Sequence, residues 1–195
     1  MPAVPTLVFL RHGQTDWNVE GRLQGQRDVP INAKGRIQAR QNGEKVLRDV
    51  PEAPTFDFVA SPLGRARETM EIARTAMGLD PAGYRIDEQL KELTFGEWEG
   101  FTYRDIEGVH PGWVAQRLAD KWFFQPPGGE SYEMLSARIV RWLQTVDRAT
   151  VIVSHGGVGR VLRAHLLKLD PLRTVIEDFP HTSVFLWRDG EGRWL

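Results

Sequence analysis

The 195-residue sequence contains no cysteine. This absence excludes disulfide bonds, Cys-ligated zinc, iron–sulfur clusters and a thiol nucleophile, and it favours a reducing compartment. No hydrophobic run approaches the roughly 20 residues that a membrane-spanning helix needs. The amino-terminal segment 1–13 has no basic region ahead of its short apolar stretch, so we interpret it as a first strand and not as a signal peptide. We therefore expect a cytoplasmic protein that does not associate with membranes.

Neither sign of charge is in excess. The sequence has 25 Lys and Arg residues and 26 Asp and Glu residues, which gives a formal net charge of −1. Proteins that bind nucleic acids or anionic membranes in general need a basic surface, so we expect neither partner. The hydrophobic share of 41% beside 26% charged residues is typical of a folded domain. The length predicts one domain over residues 1–195.

Four short apolar runs predict β-strands. They are residues 7–10, 56–60, 151–153 and 183–187, the last of them near an edge of the sheet. Short continuous apolar runs are typical of parallel strands that are covered on both faces. Because helical patterns separate these runs, the sequence predicts a layered α/β sandwich.

Capping residues mark the starts of three predicted helices. Ser61 and Pro62 fit an N-cap and a first helical position, whereas Ser131 and Asn32 fit the N-caps of two further helices. Three apolar stripes at helical spacing predict buried helix faces. Their members are Leu63, Ala66, Met70, Ala73 and Met77; Leu135, Ile139, Trp142, Leu143 and Val146; and Val158, Val161, Leu162, His165, Leu166 and Leu169. We interpret His165 in the third stripe as a hydrogen-bonded core residue.

Polar side chains follow three of the predicted strands where each strand ends. Arg11 and His12 follow the first strand, Arg65 lies in the turn and helix after the second, and His155 follows the third. Ligands of open α/β sheets bind outside the carboxyl ends of the strands. We therefore expect two histidines and two arginines in one site, where neighbouring glycines let the backbone approach a ligand closely.

The two arginines favour an anion, and phosphate fits best. Guanidinium groups are planar donors that match phosphate oxygens, and Arg65 lies in the first turn of its helix, where the helix dipole also favours an anion. A neutral histidine in such a site can attack phosphorus and form a phosphohistidine. The arginines and the second histidine would stabilise the charge of the transition state.

The leaving group of such a reaction needs a proton, and the attacking water must later lose one. A single carboxyl group can do both in turn if burial raises its pKa towards neutrality. The segment 90–100 offers Glu92, Glu97 and Glu99, and residue chemistry alone does not choose among them.

Several motifs resemble those of the histidine phosphatase superfamily, also called phosphoglycerate mutase-like. In chain order they are LRHGQTDWN at 10–18, GRLQGQRD at 21–28, SPLGRA at 61–66, the segment around Glu92, GGESY at 128–132 and VSHGG at 153–157. The resemblance implies a three-layer α/β/α sandwich around a mostly parallel sheet. It also implies that no metal and no other cofactor takes part.

The resemblance implies a role for each candidate residue. His12 is the implied nucleophile, Arg11, Arg65 and His155 hold the phosphoryl group, and Glu92 is the proton donor. The implied phosphate or substrate contacts are Thr15, Asn18, Gln24, Gly25 and Gly156.

The resemblance favours a phosphatase that acts on a small phosphorylated metabolite. Gln14 stands where mutases typically have glutamate, and the segment between Glu92 and Gly128 is shorter than the mutase insertions that exclude water. A phosphoglycerate mutase and a non-catalytic phosphate-binding module remain the alternatives. In the family, the segment corresponding to residues 101–127 forms a wall or lid over the site that helps to choose the substrate. Ordinary packing of an amphipathic helix is the alternative explanation of its aromatic residues.

Three other chemistries fit these residues less well. A zinc site would place Arg11 and Arg65 beside a dication, and the sequence has no His-Glu-x-x-His spacing. Ile152 occupies the first glycine position of a serine-hydrolase motif around Ser154. Leu162 replaces the third glycine of a dinucleotide-binding loop.

Overall fold

The computed structural model describes residues 4–195, so the first three residues of the predicted amino-terminal segment lie outside the described residues. The strands are β1 (Leu7–Arg11), β2 (Asp57–Ala60), β3 (Arg85–Ile86), β4 (Thr150–Ser154), β5 (Val184–Arg188) and β6 (Glu191–Trp194). The α-helices are α1 (Asp16–Glu20), α2 (Ala33–Asp49), α3 (Gly64–Ala76), α4 (Tyr103–Val109), α5 (Trp113–Ala119), α6 (Tyr132–Leu143), α7 (Gly156–Leu167) and α8 (Pro171–Thr174).

The strands form one mixed sheet in the order β3-β2-β4-β1-β5-β6. Neighbours from β3 to β1 are parallel, whereas β5 is antiparallel to β1 and β6 is antiparallel to β5. The central pair β1 and β4 is in a register that places Arg11 opposite Ser154. The residues that follow, His12 and His155, therefore leave the sheet side by side.

Helices cover both faces of the sheet because the side chains of β1 alternate. Leu7 and Phe9 belong to the core that α6 and α7 complete, whereas Val8 and Leu10 belong to the core formed with α2 and α3. The predicted three-layer α/β/α sandwich around a mostly parallel sheet is confirmed. Within residues 4–195, none of the helices has the length and apolar character that crossing a membrane requires.

Two of the three predicted helix caps are confirmed. Ser131 accepts a hydrogen bond from the Met134 amide at the start of α6, and Asn32 accepts one from the Gly35 amide at the start of α2. The prediction that Ser61 caps the helix after β2 is wrong. The N-cap of α3 is Leu63, which makes no side-chain capping bond, because the Ser61 hydroxyl is hydrogen-bonded to the ring of His155.

Three further expectations differ from the structure. The sheet has two strands beyond the four predicted ones, β3 and β6. Helix α6 ends at Leu143, so Val146 lies beyond it. The prediction that His165 is a core residue is wrong: it is exposed, because it lies in the last turn of α7, where it borders an open groove.

Candidate active site

The nucleophile candidate His12 is held by backbone groups directly after β1. Its amide donates to the Ser154 carbonyl at 2.9 Å, and its Nδ1 lies 2.8 Å from the carbonyl oxygen of Gly13. A carbonyl oxygen can only accept, so Nδ1 carries the proton and donates it. In the neutral ring, the lone pair that can attack phosphorus is therefore on Nε2.

His155 lies next to His12 at the end of the neighbouring strand. The two ring centroids are 5.2 Å apart. The Ser61 Oγ atom lies 2.7 Å from Nε2 of His155, and the same Oγ accepts a long hydrogen bond from the Leu63 amide. This arrangement lets the Ser61 hydroxyl donate to Nε2, which leaves the ring proton of neutral His155 on Nδ1.

Arg11 and Arg65 are both held by backbone carbonyl oxygens. Nη1 of Arg11 donates to the Phe179 carbonyl at 2.6 Å. The guanidinium of Arg65 donates to the carbonyls of Arg27 and Gly25, each at 2.6 Å. These bonds fix the two guanidinium groups without neutralising their charges, which suits them to bind an anion.

Three buried nitrogens in this group have no hydrogen-bond partner among the described residues. They are Nε of Arg11, Nε of Arg65 and Nδ1 of His155. An unpartnered buried donor costs about 1–3 kcal/mol, and more when it is charged. An oxyanion between these side chains would offset that cost at all three atoms.

Burial, together with the same arginines, keeps the histidines neutral. Burial lowers the pKa of His12 and of His155 well below the usual value, and the positive charge of Arg65 lowers both further. Burial and the charge of Arg11 lower the pKa of His181 to about 4. A neutral imidazole is the form that has a lone pair, so this environment favours nucleophilic attack.

Glu92 is the glutamate of the segment 90–100 that reaches the site. Its carboxylate accepts hydrogen bonds from the amides of Leu93 and Gly157, at 3.0 and 2.9 Å. Glu97 is exposed, whereas Glu99 accepts hydrogen bonds from the amides of Gln26 and Phe95 and from the hydroxyl of Thr94. The geometry thus separates three candidates that residue chemistry left equal.

These side chains enclose a cavity of about 160 Å³ at the carboxyl ends of the central strands. Its lining includes the sequence-predicted residues Arg11, His12, Asn18, Gln24, Gly25, Arg65, Glu92 and Gly156. His155 is fully buried beside His12 and does not belong to this lining. A larger groove of about 480 Å³ lies between α2 and α3. No histidine or strand end borders that groove, so size alone does not locate a catalytic site.

Comparisons with known proteins agree with this geometry. The family model described as histidine phosphatase superfamily (branch 1) matches residues 7–195. The chain belongs to the histidine phosphatase superfamily. The family predicted from the sequence motifs is confirmed.

Named relatives of this histidine phosphatase are phosphatases and mutases. A glucosyl-3-phosphoglycerate phosphatase of Mycobacterium tuberculosis is 37% identical over 177 residues, which cover 84% of this chain and 75% of the relative. A Salmonella paratyphi C protein named probable phosphoglycerate mutase GpmB is 35% identical over 153 residues, which cover 76% of this chain and 68% of the relative.

A solved mycobacterial glucosyl-3-phosphoglycerate phosphatase in complex with VO3 matches with a TM-score of 0.78 and 32% identity. The match covers 98% of this chain and 96% of that chain. Together with the family match, these relatives confirm the prediction of a phosphoric monoester hydrolase at the level of the family.

Thr15 is the one predicted contact residue of this histidine phosphatase that lies behind the site. It is fully buried, it caps α1, and its hydroxyl donates to Oε1 of Gln24 at 2.9 Å. Thr15 thus holds Gln24 and Asn18, which line the cavity, and does not itself reach the cavity.

The cavity of the histidine phosphatase also has lining residues that the sequence did not single out. They are Arg22, Leu23, Leu93, Phe95, Tyr132 and Arg160. A helical projection could have found Arg160, because it lies one turn after Gly156 on α7. His181 lies behind His12, with ring centroids 5.4 Å apart, and its Nδ1 donates to the His12 carbonyl.

The residues present do not form an obvious metal site. Within residues 4–195, no group of three or more His, Cys, Asp or Glu side chains is placed to hold a metal ion.

Proposed function

We propose that this chain is a metal-independent phosphatase that hydrolyses small phosphate monoesters through a phosphohistidine at Nε2 of His12. The observation that supports this most strongly is the group of three unpartnered buried nitrogens around a neutral histidine. They fit the oxygens of a phosphoryl group, whereas an uncharged ligand would leave the positive charges of Arg11 and Arg65 unbalanced.

In the first step, the lone pair on Nε2 of His12 attacks phosphorus while the bond from phosphorus to the ester oxygen breaks. Glu92 in its protonated form gives its proton to that oxygen, so the alcohol leaves as a neutral molecule. Arg11, Arg65 and His155 donate hydrogen bonds to the phosphoryl oxygens and stabilise their charge in the transition state.

In the second step, water attacks the phosphohistidine. Glu92, now a carboxylate, accepts a proton from the water while the bond between phosphorus and Nε2 breaks. Inorganic phosphate leaves, and His12 is neutral again with its Nδ1 proton still donated to Gly13. Each catalytic group thereby returns to its initial protonation state.

The lining residues Asn18, Gln24, Gly25 and Gly156 complete the proposed phosphate and substrate contacts. Thr15 holds two of them in place.

We assign residues 101–127 the role of a lid that takes part in substrate choice. Helix α5 packs on the loop that borders the cavity. The guanidinium of Arg117 lies 5.2 Å from the ring centroid of Phe95, and the rings of Trp98 and Trp113 have centroids 6.1 Å apart. Phe95 lines the cavity, so a change in the packing of α5 would alter its wall.

The names of the relatives support a general substrate class, because they include a phosphorylated glycerate derivative. We propose a small phosphorylated metabolite as the substrate of this chain as well. The cytoplasmic location and the absence of nucleic-acid and membrane partners stay predictions.

The central experiment measures phosphate release and a covalent intermediate with the purified chain. We expect hydrolysis of p-nitrophenyl phosphate, an acid-labile and base-stable phosphoenzyme in quenched reactions, and unchanged activity in EDTA. A chain without phosphoenzyme and without turnover on a panel of phosphorylated metabolites would instead be a phosphate-binding module. Loss of activity in EDTA that added metal restores would contradict the metal-independent mechanism.

A phosphoglycerate mutase is the second candidate, because a relative with that name matches 76% of the chain. The products formed from 3-phosphoglycerate separate the two functions. Inorganic phosphate with glycerate indicates hydrolysis, whereas conversion to 2-phosphoglycerate without phosphate release indicates a mutase.

A further inference from the structure

Three cationic side chains lie around Tyr132 and Phe95, two residues that line the cavity. Arg160 lines the cavity together with Tyr132. The Nζ atom of Lys121 lies 5.9 Å from the ring centroid of Tyr132. Arg117 lies over the ring of Phe95, which is another lining residue. The proposed hydrolysis mechanism uses none of these three cations.

The cluster of Arg117, Lys121 and Arg160 has no carboxylate partner. Across residues 4–195, the ion pairs within 4 Å involve none of the three. Arg160 donates through Nε to the Glu177 carbonyl at 2.7 Å, and Arg117 donates through Nε to the Tyr103 hydroxyl at 3.2 Å. Both acceptors are neutral, so the positive charges stay unbalanced.

Burial of these charges without an anionic partner costs free energy. Arg117 is 1% exposed, and its Nη1 atom is buried without a hydrogen-bond partner. Burial, together with repulsion by Arg160 and Arg117, lowers the pKa of Lys121 to about 8. Such costs occur more often at functional sites than elsewhere, because a charged ligand offsets them.

The cluster begins where the phosphoryl subsite ends. Nη1 of Arg160 and Nε of Arg11 lie 3.1 and 3.3 Å from the point that a Cβ atom on Gly156 would occupy. The two guanidinium groups therefore approach one another beside Gly156. A ligand whose phosphoryl group contacts Arg11 can place its next substituent against Arg160 and the hydroxyl of Tyr132.

We propose that Arg160 and Lys121, supported by Arg117, form a second oxyanion subsite for the leaving group. The substrates that fit it are phosphate monoesters with a further carboxylate or phosphate close to the ester. This inference rests on the proposed phosphatase function and adds a substrate class to it. Carboxylate and phosphate share the chemistry that the cluster recognises, and a pair of substrates for each separates them.

The test compares kcat/KM for matched substrates. 3-Phosphoglycerate and glycerol 3-phosphate differ in whether the carbon chain ends in a carboxylate or an alcohol. Glycerol 2,3-bisphosphate and glycerol 3-phosphate differ by one phosphate on the neighbouring carbon. A hydrogen bond to a charged group contributes about 1.5–3 kcal/mol, so we expect a preference of about tenfold or more for the doubly anionic member of at least one pair. The pair that shows it identifies the second anion.

The variant Lys121→Met keeps the length and the apolar stem of the side chain and removes its charge. We expect the preference to fall about tenfold, mainly through KM, and Arg160→Met to lower it in the same direction. Arg104→Met is the matched control, because Arg104 is exposed on α4 in the same segment. We expect this variant to keep the preference of the unmodified protein.

Two outcomes would overturn the second subsite: equal kcat/KM values within both pairs, or a preference that survives both Lys121→Met and Arg160→Met. Failure of the phosphatase function itself is distinguishable, because the protein would then neither hydrolyse p-nitrophenyl phosphate nor form a phosphoenzyme. That substrate has no second anion and does not depend on the cluster.

Discussion

The two ends of the cavity are built in different ways. At the inner end, Arg11, His12 and His155 directly continue or follow the central strands β1 and β4, and backbone carbonyls fix Arg11 and Arg65. At the outer end, the positive charges are those of Arg117 on α5, Arg160 on α7 and Lys121 after α5, and none of these residues directly continues or follows a strand. The inner end therefore suits chemistry that every substrate shares, and the outer end suits selection among substrates.

The largest expected effect is at the inner end. Replacing His12 by alanine removes the attacking nitrogen, so we expect kcat to fall by on the order of 10⁴–10⁶ for every ester, as for nucleophiles of other hydrolases. Phosphate release and phosphoenzyme trapping measure this. His165→Ala is the control, since His165 is exposed on α7. Substantial residual turnover through a trapped phosphoenzyme in His12→Ala would move the nucleophile elsewhere.

Glu92→Gln tests whether proton donation depends on the leaving group. Hydrolysis of alkyl phosphates should fall by about 10²–10⁴. p-Nitrophenyl phosphate should lose less in its first step, because its leaving group needs little protonation. Burst-phase kinetics with the two ester types give this comparison, with Glu97→Gln at an exposed position as the control. An equal loss in the first step for both esters would contradict the role of Glu92 as the acid.

The contrast between the two ends also explains what the sequence could predict. Side chains at the ends of adjacent parallel strands converge for topological reasons, so Arg11, His12 and His155 could be placed together once strands were recognised. Glu92 comes after β3, a two-residue strand that the sequence pattern did not predict, so only the resemblance selected it. The outer cluster depends on how α5 packs, which no local pattern of residues specifies.

Two features that the sequence pattern did not predict differ in whether a local signal marks them. The hairpin that joins β5 to β6 has a local signal, because Asp189 and Gly190 both have positive φ angles, as the Asp-Gly pair of a two-residue hairpin requires. By contrast, the Ser61 hydroxyl was available to cap a helix, and a residue 94 positions away uses it instead. The residues around Ser61 are compatible with helix capping, and only the tertiary contact with His155 shows that its hydroxyl is used there.

A smaller effect is expected where the inner end depends on the absence of a side chain. A Cβ atom on Gly157 would lie 2.3 Å from Oε1 of Glu92, so Gly157→Ala must displace that carboxylate. A misplacement of about 1 Å can cost about 10²-fold, and we expect a loss of about 10- to 100-fold with the leaving-group dependence of Glu92→Gln.

Gly108→Ala is the matched control for Gly157→Ala, since a Cβ atom there meets nothing within 4 Å. Parallel kinetics on an alkyl phosphate and on p-nitrophenyl phosphate show whether the two glycines differ. A Gly157→Ala variant with the activity of the control would mean that Glu92 acts from another position.

The smallest expected effect is on the pH dependence of stability, and it concerns His181 behind the inner end of the cavity. The pKa of His181 is lowered from 6.5 to about 4, first by burial and then by the charge of Arg11. Around its ring lie His12 and the charges of Arg11, Asp178 and Lys34. The unfolded chain takes up a proton near pH 6.5 while the folded chain does not, so the contribution is full above that pH and is lost as pH falls towards 4.

Urea unfolding at pH 7 and pH 5 measures this contribution. The free energy of unfolding should fall by about 1–2 kcal/mol more in the unmodified protein than in His181→Asn, which lacks the titrating ring and retains a donor for the His12 carbonyl. His165→Asn, at an exposed histidine, should follow the unmodified protein. If His181→Asn lost as much stability as the other two, the ring would be protonated in the folded protein at pH 5. Burial and the charge of Arg11 would then be too weak to exclude a further positive charge beside His12.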